Sequence, residues 1–107
     1  MIKAKLHKKI SYEGSSQVEK RILAICDSDL LGKVFEEGDL VLDLQKYRSF
    51  YEGDTVTEQE IQKLLTEERN INLVGKKTLK IATKALNIDP KNVKNIGGVP
   101  HIQFYYV

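Results

Sequence analysis

Lys76, Lys77, Lys80 and Lys84 are the densest group of chemically able side chains in this sequence. Drawn as a helix at about 100° per residue they fall within one arc, so their ammonium groups project together. Ammonium groups so arranged meet phosphates as point charges. No Asp or Glu is interleaved among them, which leaves like charges at i,i+4 without relief on their own helix, and Lys91 and Lys94 follow soon after. A merely solvated helix face is the plain alternative, because lysine favours helices. The missing acid tips the balance toward phosphate binding. Lys3 and Lys5, alternating with Ile2, Ala4 and Leu6, add a basic outer face on a first strand.

Other groups able to do chemistry are sparser. Paired carboxylates at Asp27/Asp29, Glu36/Glu37/Asp39 and Glu52/Asp54 could hold magnesium or share acid–base work. They stand in turn-forming stretches, where Asp caps and bends backbone for structural reasons. His7 falls on the polar side of a strand, whereas His101 follows the rigid turn Gly97-Gly98-Val99-Pro100. A Cys26–His101 nucleophilic pair assisted by Asp is conceivable, but a cysteine closing an apolar strand is more often core. Two histidines and one cysteine, far apart, make no metal-ligand pattern, and there is no glycine-rich nucleotide loop. No cofactor is expected. Tyr47, Phe50, Tyr51, Tyr105 and Tyr106 read as core and sheet aromatics, with Tyr105 also a candidate to stack on a base.

The charges are sorted along the chain, although the net charge is only +2. Residues 1–21 carry six Lys or Arg against two Glu, residues 22–70 five against twelve acids, and residues 71–107 six Lys against one Asp. A basic surface built from both ends beside an acidic middle suits a polyanion on one side only. Fourteen of the seventeen basic residues are Lys, which favours contact with backbone phosphates over reading of bases. A lone cysteine excludes a disulfide framework, and no apolar run is long enough to span a membrane. The expectation is one soluble, cytoplasmic domain over residues 1–107.

The elements that must carry these residues follow from periodicity. Strands are expected at Ile2–Leu6, at the continuous apolar run Ile22–Cys26, at Leu40–Leu44, at Val93–Ile96 and at Ile102–Tyr106, with residues 11–19 and Tyr47–Gly53 as loops. Leu30-Leu31-Gly32 reads as a helical turn closed by glycine. Thr57 and Glu60 form a capping box for a helix ending near Arg69. A second helix is expected from about Asn72 to Asn87, with the stripe Val74, Thr78, Ile81, Ala82 and Ala85. The fold class is α+β, a mostly antiparallel sheet with two helices packed on it.

Several strings, in this order and spacing, resemble an archaeal family catalogued as domain of unknown function 424. They are Cys26-Asp27-Ser28-Asp29-Leu30-Leu31-Gly32-Lys33, Phe35 and Gly38, Phe50-Tyr51-Glu52-Gly53, Asn72-Leu73-Val74-Gly75 and Ile96-Gly97-Gly98-Val99-Pro100-His101. The resemblance covers essentially the whole chain and implies an archaeal, cytosolic α+β protein; it brings no activity and no catalytic residues. Asp27, Lys33, Asn72 and His101 are the polar members that packing does not demand, and so mark a candidate polar site. The Asn72–Gly75 segment could also bind an anion at a helix start. The expected function is a non-enzymatic module binding RNA or the ribosome. The rivals are a small hydrolase or transferase around Asp27 and His101, and a protein–protein adaptor. Four polar residues in one concave pocket would favour an enzyme, and dispersed ones beside a continuous lysine face would favour RNA.

Overall fold

The computed structural model describes residues 1–105. Its elements are β1 (Ile2–Glu13), β2 (Ser16–Asp27), a 3-10 turn at Ser28–Leu30, β3 (Val34–Glu37), β4 (Leu40–Asp43), α1 (Arg48–Tyr51), β5 (Asp54–Val56), α2 (Glu58–Glu67), β6 (Asn70–Val74), α3 (Lys76–Ala85), a second 3-10 turn at Pro90–Asn92, β7 (Lys94–Ile96) and β8 (Val99–Tyr105). Six strands form one sheet in the order β5-β1-β2-β6-β8-β7, while β3 and β4 pair as a separate hairpin. Every pair is antiparallel except β2 with β6. The expected α+β class is therefore the one observed.

The sheet is covered on both faces, and strand alternation explains how. Leu23 and Ile25 of β2 turn toward α2 and α3, joining Ile2, Ala4, Ile61, Leu65, Ile71, Leu73, Leu79 and Ala82 in one core. Ala24 and Cys26 turn the other way, into a second core with Leu42, Leu44, Tyr51, Val74, Ile96 and Val99 beneath the β3–β4 hairpin and α1. A strand buried on both sides must be apolar at every position, which is why Ile22–Cys26 does not alternate.

Four local expectations are corrected. Residues 11–19 are not a loop: they are the ends of β1 and β2 around a turn at Gly14, where φ is +63°. Residues Tyr47–Gly53 contain α1, and Leu40–Asp43 has an unforeseen partner in β3. The helix expected from Asn72 begins at Lys76, because Asn70–Val74 is a buried parallel strand; Val74 belongs to that strand and not to the helix stripe. Gly75, at φ +109°, makes the break between the two. Tyr106 lies outside the described residues.

The β1–β2 pair also reaches beyond the rest of the sheet. β1 pairs with β5 only at Ile2–Ala4, and β2 with β6 only at Leu23–Cys26. Beyond those contacts the two strands pair only with each other, to Glu13 and Ser16, as a two-stranded arm.

Candidate functional site

α3 presents the lysines as expected. Thr78, Leu79 and Ala82 are buried on one side, and Lys76, Lys77, Lys80 and Lys84 are exposed on the other. One lysine is not free: Lys84 Nζ lies 3.2 Å from Glu58 Oε1 at the start of α2. Sequence inspection along α3 alone misses this partner, which arrives from another helix. Among the described residues no carboxylate forms an ion pair with Lys76, Lys77 or Lys80. Lys91 and Lys94 are exposed as well.

Lys3 and Lys5 do not join that face. Their alternation turns them to the sheet face away from α3, where Lys3 meets its cross-strand neighbour on β5 and Lys5 meets α1. Lys3 Nζ donates to Thr55 Oγ1 at 2.7 Å and Lys5 Nζ to the Ser49 carbonyl at 2.8 Å. His7 stacks on Phe50 with ring centroids 4.5 Å apart. The expected single basic surface is thus split by the sheet, and its strand-one part is hydrogen-bonded to β5 and α1.

The start of α3 is already occupied by an anion, the chain's own Asp27. Parallel pairing sets Cys26 opposite Val74, so the end of β2 meets the first turn of the helix that follows β6. The Asp27 carboxylate accepts from the backbone amides of Lys77 (3.0 Å) and Thr78 (2.8 Å) and from Thr78 Oγ1 (2.7 Å). A Cβ on Gly75 would stand 2.3 Å from the Asp27 carboxyl carbon. Two of the first-turn amides that could have held an external anion are therefore taken, and the anion site expected at Asn72–Gly75 is corrected to an internal cap.

Asn72 and His101 meet elsewhere, in the second core. Asn72 Oδ1 accepts from Tyr51 Oη at 2.8 Å and from His101 Nε2 at 3.0 Å. Because an amide oxygen only accepts, Nε2 is the protonated nitrogen of the neutral imidazole. Burial, helped by the charge of Lys94, holds His101 below its ordinary range, and burial pushes the Tyr51 phenol up. The cavity of about 260 Å³ beside Asp27 is lined by Asp29, Leu30, Lys76, Lys77, Gly98, Val99 and Pro100, and contains none of Lys33, Asn72 or His101. Lys33 is exposed at the foot of the β3–β4 hairpin. The four polar residues are therefore dispersed: one caps a helix, two share a buried network and one faces solvent.

Cys26 is fully buried, its Sγ–H donating to the Asp27 carbonyl. Desolvation, with Asp27 and Asp29 nearby, pushes its thiol up to about 12. No thiolate is available there at neutral pH, and His101 spends Nε2 on Asn72. Among the described residues no group of three His, Cys, Asp or Glu side chains is placed to hold a metal ion. Of the aromatics, Tyr51 is core, but Tyr47 and Tyr105 are exposed.

One polar feature had no sequence signal. Arg21 grips the buried Glu68 carboxylate through Nε (3.0 Å to both oxygens) and Nη2 (2.6 Å), tying the base of the arm to the end of α2. The two residues are 47 positions apart and obey no local spacing.

A family model described as "Protein of unknown function (DUF424)" matches residues 15–107. The match starts within the arm's turn and takes in every string on which the resemblance rests. The chain is also similar to a crystal structure of an uncharacterized conserved protein from Methanopyrus kandleri, with 25% identity, a TM-score of 0.62, and coverage of 94% of this chain and 90% of that one. No curated protein matches. Among the described residues no helix is long and apolar enough to cross a membrane.

Proposed function

For a chain that belongs to the DUF424 family, and so inherits no activity, we propose a non-enzymatic RNA-binding module that docks through α3. The observation that carries this reading is the run of Lys76, Lys77 and Lys80, exposed on one helix face and without an ion pair among the described residues. The separate surroundings of Asp27, Lys33, Asn72 and His101 support binding over catalysis, since the cavity beside Asp27 holds none of the other three. Lysine without arginine at this face suits phosphate contact and shape recognition, for which structured RNA, the ribosome included, is the natural partner.

The test is binding of a fluorescent structured RNA as salt is raised, for wild type and for K76E/K77E/K80E. With three free lysines on α3, that helix accounts for about 3 of the log–log salt slope, and the variant flattens the slope by that amount. An unchanged slope in the variant removes α3 from the interface. Co-sedimentation with ribosomes from a native lysate then asks whether the RNA is ribosomal; wild type left at the top of the gradient answers no.

A further inference from the structure

Resting on the reading that the partner is RNA, we infer that the β1–β2 arm is a second RNA-contacting element, inserted as a ribbon between two phosphate strands. The strand register carries the argument. It places Lys8 opposite Arg21 and Lys9 opposite Lys20, two like-charged pairs in successive positions near the base of the arm. Directly opposed like charges destabilise a strand pair. The first pair is relieved, because Arg21 is held by Glu68 and Glu19. The second is not: among the described residues neither Lys9 nor Lys20 has an acidic partner. A polyanion supplies the missing counter-charge.

Alternation also distributes these cations on both faces. Lys8 shares the face of Ile2, Ala4 and Leu6, whereas Lys9 and its opposite Lys20 point to the other side. A ribbon lying flat on a surface would use one set only; a ribbon between two phosphate walls uses both. The A-form major groove is too narrow for this until a bulge or internal loop opens it. At such a place unpaired bases stand free, and Tyr12, 72% exposed near the tip, offers a ring to stack on. A second copy of the chain fits less well. The free edges carry lysines, which guard exposed strands against edge-to-edge pairing.

The probe is a fluorescent RNA hairpin with a central bulge, compared with the same hairpin fully paired. K20E turns the Lys9–Lys20 repulsion into attraction, so it melts at or above the wild-type temperature. It nevertheless binds the bulged hairpin roughly three- to tenfold more weakly, with a salt slope lower by about 1 to 2. Y12A weakens binding to the bulged hairpin about tenfold and leaves the paired one unchanged. Wild-type affinity in both arm variants, with K76E/K77E/K80E defective, overturns the arm and leaves the α3 reading standing. No binding by wild type overturns both. A wild-type dimer by light scattering that K20E alters would assign the arm to self-association instead.

Discussion

A carboxylate at the end of β2 does at residue scale what a bound anion does in many α/β proteins: it satisfies the amides at a helix start. Asp27→Ala strips three hydrogen bonds from a buried position, and is expected to cost about 1–3 kcal/mol in chemical denaturation. A loss below a few tenths would mean that water replaces the cap. Gly75→Ala is expected to be at least as damaging, since φ is +109° and the new methyl group meets the same carboxylate. Cys26, raised to about 12, is expected to resist alkylation at neutral pH until the protein unfolds. Labelling at the same rate in the folded and unfolded states would contradict its burial.

His101 gives a pH dependence of definite sign. Its folded-state pKa lies below the ordinary 6.5, so above that pH folded and unfolded chains both hold it neutral. As pH falls through 6.5 the unfolded chain takes up the proton first, and folded stability drops until the folded imidazole is also protonated. The stability difference between wild type and His101→Gln is therefore level above 6.5 and shrinks below it. A difference independent of pH would show that His101 is not desolvated.

Elements differ in how far they announced themselves. The capping box was legible because its partners lie three residues apart: Glu60 N donates to Thr57 Oγ1 and Thr57 N to Glu60 Oε1, both at 3.2 Å. Thr57→Ala should cost about 1 kcal/mol. β6 stands where a helix start was expected at about Asn72, whose side chain is held in the core by Tyr51 and His101, partners that only the folded sheet supplies. The arm was misread because Gly14 and its serines suggest a loop, while the pairing that makes it a ribbon is between strands. Strand β1 yields a further expectation. Lys3→Gln with Lys5→Gln lowers stability through the lost contacts to Thr55 and Ser49 and leaves RNA affinity unchanged. A weakened affinity would return β1's lysines to the interface.

At the scale of the whole molecule, the charge blocks do not become simple halves of the surface. The acidic middle supplies α2, the β3–β4 hairpin and α1, and these lie on opposite faces of the sheet. Acid and base therefore meet locally, at Lys84–Glu58 and Arg21–Glu68, and the cations left without an ion pair include runs on α3 and on the arm. Their separation predicts additive effects: the combined K76E/K77E/K80E and K20E variant should lose the sum of the two individual losses in binding free energy. A combined loss equal to the larger single loss would mean that only one element touches RNA.

The sequence by itself determined what depends on neighbours along the chain. This comprises the α+β class, the doubly buried strand at Ile22–Cys26, the capping box, the lysine arc of α3 and the family resemblance. Each is a periodicity or a short spacing, and local backbone geometry turns such a pattern directly into a face or a turn. The tertiary structure alone decided which partners those faces meet. Parallel pairing of β2 with β6 brought Asp27 to the start of α3, where it takes the amides of Lys77 and Thr78. The sheet set Lys3 and Lys5 on the side away from the lysine helix, and strand register set Lys9 against Lys20. Such contacts join residues tens of positions apart through the burial of apolar surface on both faces of the sheet, and no local spacing records them.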